Sequence, residues 1–144
     1  MKKNDLSYAS GIAAFEAKHF ARALQYLSPL AEAGDTEAQH RCAIMYQNGL
    51  GINVNPLLAF KWMKLAAEDG HALAQHGLGF MYMEGDCVDK NGVMAVKWFT
   101  KAAEQGLVGS MTTLAMIYEE GELVKKDIKR AKEFYKKAGF GEQP

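Results

Sequence analysis

The chain has 144 residues, 17 Lys+Arg against 17 Asp+Glu, and a hydrophobic share of 49%. That length supports one modest domain, and the zero net charge excludes a nucleic-acid binder built on bulk positive potential. With 24% charged residues beside abundant Leu, Ala, Met and aromatics, a disordered chain is excluded too. No apolar run approaches the roughly 18 residues a membrane span needs, so no membrane association is expected. Met1-Lys2-Lys3 starts like a signal peptide, but no apolar stretch follows it. Two cysteines, Cys42 and Cys87, are too few for a disulfide framework, and a cytoplasmic location is expected.

In chain order, the first predicted helix runs over Leu6–Ala17, where Glu16 is the only charged residue. A terminal helix so poor in charge, with Leu6, Tyr8, Ile12 and Phe15 available, predicts an exposed apolar end that a second copy of the chain could cover. A tight turn at Lys18-His19-Phe20 leads to a second helix that stops at Gly34. The next helix carries Ala38, Ala43 and Tyr46, followed by a loop with Gly49 and Gly51. Asn55 and Pro56 then read as an N-cap and a first-turn proline, opening a helix with Ala59, Trp62 and Ala66 that ends at Gly70. Ala74, Leu78, Met81 and Tyr82 recur at i, i+4, i+7 and i+8, one helical stripe, and Val93, Val96, Phe99 and Ala103 form another.

The pattern then repeats. A shift of 36 aligns Tyr46, Tyr82 and Tyr118; Gly49, Gly85 and Gly121; and Gly34, Gly70 and Gly106. The same shift aligns Trp62, Trp98 and Phe134, and the N-caps Asn55, Asn91 and Asp127. Small residues form two further columns, Ala43/Gly79/Ala115 and Ala59/Ala95/Ala131, where two helix axes can approach closely. From one small column to the other is 16 positions in the later units but 12 from Gly11 to Ala23, so the first hairpin has a loop four residues shorter. One hairpin cannot bury its apolar faces alone, whereas stacked hairpins share a continuous core. The prediction is all-α: a right-handed α/α solenoid of four antiparallel helix hairpins, about eight helices, in a single domain over 1–144.

Ala74, Leu78, Gly79, Tyr82, Gly85, Val88, Ala95, Trp98, Ala102, Ala103 and Gly106 make the second full unit resemble the Sel-one-like repeat family, a branch of the tetratricopeptide-type solenoids. The resemblance covers units 36–71, 72–107 and 108–140, and the hairpin 5–35 resembles a plain tetratricopeptide unit. Gly51 is replaced by Cys87 and Leu123 in the later loops, where different turns are expected. The resemblance implies an adaptor that presents a concave groove to another protein. Cysteine-rich relatives associated with penicillin binding and β-lactam hydrolysis imply an alternative, enzymatic role. The paired cysteines of those relatives are missing here.

The chemical constellations are sparse. His40 and His76 are 36 apart, about one repeat or near 10 Å, too far for one metal without further ligands. Cys42 points away from His40 on its helix, and no catalytic order or phosphate-binding fingerprint is present. No cofactor, metal or catalytic residue is therefore expected. Lys125, Lys126, Lys129, Arg130, Lys132, Lys136 and Lys137 read as a polar capping helix, with an anion-binding module as the weaker alternative. If the first helices of the hairpins line the groove, as the resemblance implies, three columns face it. They are Tyr8, His40, His76 and Thr112; Ile12, Ile44, Phe80 and Met116; and Phe15, Gln47, Met83 and Glu119. The apolar middle column predicts either capture of an extended peptide or amphipathic helix, or lateral packing between helices.

Overall fold

The structure, a computed structural model, describes residues 6–141. Asp5, where the first hairpin was expected to begin, lies outside them. Eight helices and no strand occur among the described residues: α1 (Leu6–Glu16), α2 (Phe20–Glu32), α3 (Thr36–Asn48), α4 (Pro56–Glu68), α5 (Ala72–Glu84), α6 (Gly92–Glu104), α7 (Val108–Glu120) and α8 (Ile128–Lys137). None of them is long and apolar enough to cross a membrane. The chain forms two compact units, Met1–Ala74 and Gln75–Pro144, with the division inside α5.

In the first unit α1 packs on α2, α2 on α3, and α3 on α4. Gly11, the small residue of the first hairpin, lies against Leu27, which is fully buried, as are Ala23, Ala43 and Ala59. In the second unit α6 packs on α7 and α7 on α8. Its core gathers Ala95, Phe99, Leu114 and Ile117, with Tyr82, Val96 and Phe134 packed around them. A β-carbon at Gly79 would stand 3.0 Å from the Phe99 ring, so the missing side chain is what lets α5 and α6 close on each other.

The hairpin signals act where they were expected. Asn55, Asn91 and Asp127 each accept a hydrogen bond from the amide three residues on, at 3.1, 3.1 and 3.0 Å, so each caps its helix. The tyrosine column behaves as a regular ladder. Tyr46, Tyr82 and Tyr118 are all half-buried, and each carbonyl accepts from the cap residue's own N–H at 2.9 Å. The second helices stop on Gly34, Gly70 and Gly106 at φ +101°, +92° and +92°, inside hydrogen-bonded C-terminal turns.

The loop after α5 departs from expectation. A different turn was expected where Cys87 replaces glycine, yet Cys87 adopts φ +68°, next to the +71° of Gly51. The turn is kept and the cysteine carries its strain. An L side chain in that region costs roughly 1–2 kcal/mol, and glycine's extra chain entropy offsets part of the relief. Cys87→Gly is expected to raise stability by about 0.5–1 kcal/mol, read as a higher urea midpoint with an unchanged slope; a lower midpoint would show that the turn needs its side chain.

Candidate functional site

The three predicted columns fall on α1, α3, α5 and α7, and their members differ in exposure and partners. In the second unit Phe80 is 44% and Met116 50% exposed, while Thr112 is half-buried. Phe80 on α5 and Met116 on α7 thus leave two apolar side chains open on helices that meet directly. His76 Nδ1 of α5 lies 2.7 Å from Ser110 Oγ of α7, and the His76 ring meets Phe99 edge-on at 5.1 Å. Ser110 is fully buried, and the serine–histidine pair ties α5 to α7. Burial lowers the His76 pKa, which favours the neutral ring that this bond uses. Met83 packs against the core cluster, and the Glu119 carboxylate accepts from the Tyr135 hydroxyl at 3.0 Å.

In the first unit the columns are more closed. Tyr8, Ile12, Ile44 and Gln47 are half-buried, and Phe15 is covered by the edge of Phe20 and by the Arg41 guanidinium at 4.7 Å. The middle column is therefore exposed at Phe80 and Met116 and half-buried at Ile12 and Ile44. At the chain start Leu6 stands 81% exposed. At the far end the basic residues of α8 are exposed, and two are partly engaged. Arg130 donates to Tyr118 Oη at 3.2 Å, and the Lys137 ammonium lies 5.4 Å from the centre of the Phe134 ring.

His40 brings a group that the periodicity did not point to. It is 8% exposed, and its ring lies 4.6 Å from that of His71 at a tilt of 34°; His71 is outside every column drawn from the sequence. His71 Nδ1 accepts from the Ala74 N–H at 3.1 Å, which caps α5 and places the ring proton on Nε2. That nitrogen lies 3.2 Å from one oxygen of Glu37, and Arg41 Nε donates to the other at 3.0 Å. With His40, His71 and Arg41 beside it, the Glu37 carboxyl is held well below the usual carboxylate range despite its burial. Two buried side-chain nitrogens among the described residues have no hydrogen-bond partner, His40 Nδ1 and Trp98 Nε1.

The repeat explains the first. His40 and His76 are equivalent, but the residue 34 positions on is Ala74 for the former and Ser110 for the latter. Ala74→Ser is expected to supply the missing hydroxyl and to raise stability by about 0.5–1.5 kcal/mol. Thermal melts would check it, and a lowered Tm would mean that the fully buried Ala74 site has no room for the oxygen.

Paired helices joined by capped loops and locked at small-residue columns define the α/α-solenoid class of repeat protein. Within that class the Sel1 repeat family model matches residues 18–35, 36–71, 72–107 and 109–139, and the chain belongs to that family. The match takes in the second helix of the first hairpin, which alone resembled a plain tetratricopeptide unit. The chain is 33% identical, at a TM-score of 0.87, to c5321, a protective antigen present in uropathogenic Escherichia coli strains with an SLR fold; the match covers 92% of this chain and 29% of that one. A Sel1 repeat protein from Oxalobacter formigenes is 34% identical at a TM-score of 0.85, with 94% of this chain and 54% of that one covered. The chain thus spans about a third to a half of the length of these two relatives. Helicobacter pylori cysteine rich protein B is 19% identical at a TM-score of 0.61, covering 95% of this chain and 91% of that one, a likeness of fold alone. No curated protein matches the chain. Sel1 repeat proteins are generally protein-interaction modules.

Proposed function

We propose that the chain is a non-catalytic interaction module that takes an extended peptide or an amphipathic helix on the faces of its first helices. The observation that carries this reading is the open pair Phe80 and Met116, apolar side chains one repeat apart, with polar Thr112 and Glu119 on the same helix as Met116. Apolar surface rimmed by polar groups suits i, i+3, i+4 anchors of a helix or alternate residues of a strand-like peptide. Methionine adds adaptability to more than one shape. The exposed Leu6 end of α1 is the part of the proposal that involves a second copy of the chain, and sedimentation as a strict monomer at high concentration would remove it.

The test starts from peptides selected against the purified chain out of a random displayed library. Calorimetry then compares binding to the unaltered chain and to Phe80→Asp/Met116→Asp. The expected result is a loss of about 2 kcal/mol or more, roughly thirtyfold in Kd, with unchanged helical circular dichroism. Affinity that survives the double replacement overturns the assignment of this face.

A further inference from the structure

We propose that Glu37, His40 and His71 form a binding site for one divalent cation of the zinc class. One donor atom from each side chain lies within 4.8 Å of the other two. Individual pairs are closer: Glu37 Oε1 to His71 Nε2 is 3.2 Å, and Glu37 Oε2 to His40 Nδ1 is 3.9 Å. A tetrahedral ion with bonds near 2.0–2.1 Å holds its donors roughly 3.3 Å apart, so the Glu37–His71 pair already fits. The His40 ring, whose 3.9 Å approach is to the other carboxylate oxygen, must swing toward the ion. Two imidazoles and a carboxylate suit zinc and its neighbours, whereas calcium and magnesium prefer all-oxygen sets.

Two features, an unpartnered nitrogen and a partly open face, set this cluster apart from a chance grouping. His40 Nδ1 is buried, lies beside the Glu37 carboxylate and has no hydrogen-bond partner, so no other contact of the protein competes for this nitrogen. The equivalent histidine of the next repeat, His76, has its Nδ1 satisfied by Ser110, so the two histidines differ at this nitrogen. The side chains of His40, Glu37 and His71 keep 11%, 22% and 13% of their surface exposed, which leaves a face for entry of the ion and for water as a fourth ligand.

Binding requires two concessions. Arg41 must give up its bond to Glu37, and Asp35 at the start of α3 remains as nearby negative charge. His71 must move its proton from Nε2 to Nδ1, with no net proton release, and so loses the bond from the Ala74 N–H. The lost cap costs about 1 kcal/mol, well under the binding energy typical of a zinc site. The ion would then clamp α3 to the turn that leads into α5, in place of the present hydrogen bonds.

The experiment uses the full chain freed of metal with chelator, titrated with Zn2+ by calorimetry and followed by thermal denaturation. Cys87→Ser removes the accessible thiol, the competing donor. His71→Asn keeps an N-cap acceptor while removing the imidazole, and Glu37→Gln removes the charge with little change of shape. One ion per chain is expected, with a raised Tm, a shifted Ala74 amide resonance and affinity unaffected by Cys87→Ser. Affinity should fall about tenfold or more in each of the other two variants, both helical by circular dichroism. No saturable binding, undiminished affinity in His71→Asn or Glu37→Gln, or loss of binding in Cys87→Ser overturns the site.

Discussion

Replacing Phe99 by Ala is expected to destabilise the 75–144 unit by about 3–5 kcal/mol, a large part of the stability of an ordinary domain. The ring is fully buried and lies at the point where α5, α6 and α7 meet: against the Gly79 backbone, edge-on to His76 and among Leu114 and Ile117. Truncation leaves a cavity that Gly79, with no side chain, cannot help to fill. His76 also loses the ring that holds its Nδ1 toward Ser110. Urea unfolding and amide exchange in this unit would check the prediction. Phe80→Ala, on an exposed face of the same helix pair, is the comparison and should stay within about 0.5 kcal/mol. A similar small cost at Phe99 would mean that the core closes around the gap.

The second large effect lies in the first unit. Gly51→Ala is expected to cost about 2–4 kcal/mol, because two penalties coincide. The backbone there is left-handed at φ +71°, and a β-carbon would meet the backbone of the α2 start, 2.5 Å from Ala21 N and 2.6 Å from Phe20 C. Backbone atoms cannot rotate aside, so the loop or the first turn of α2 must move. Gly34→Ala separates the two penalties, since φ there is +101° but nothing lies within 4 Å of the added carbon. That variant should lose only the conformational part, roughly 1–2 kcal/mol. Equal losses at both positions would show that the contact with α2 contributes nothing.

These cases show which features could be read ahead of the structure. The N-caps at Asn55, Asn91 and Asp127 and the small-residue columns are set by local backbone chemistry and by helix contact within one hairpin, so a period of 36 displays them directly. Cys87 could be read only in part. The column showed that glycine was missing, but not that the turn would persist with strain in place of a new conformation. The His71–Glu37–His40 cluster was missed for a geometric reason. A shift of 36 pairs His40 with His76, whereas the ring against His40 comes from His71, the residue that caps α5, 31 positions on. Searching each column at 31–34 positions as well as at 36 would have brought up His71, and Ser110 beside His76. Exposure along the middle column was not legible either. Ile, Phe and Met suit both solvent and lateral contact, and only the packing separates half-buried Ile12 and Ile44 from open Phe80 and Met116.

The tyrosine ladder has a practical consequence. Because the carbonyls of Tyr46, Tyr82 and Tyr118 each grip the amide at the start of the following helix, the short segment between them is a closed loop whose ends are held by the scaffold. Foreign sequence grafted between Gly85 and Asn91, where solvent surrounds Asp86, Asp89 and Lys90, would be displayed as a constrained loop while the helices on either side keep their register.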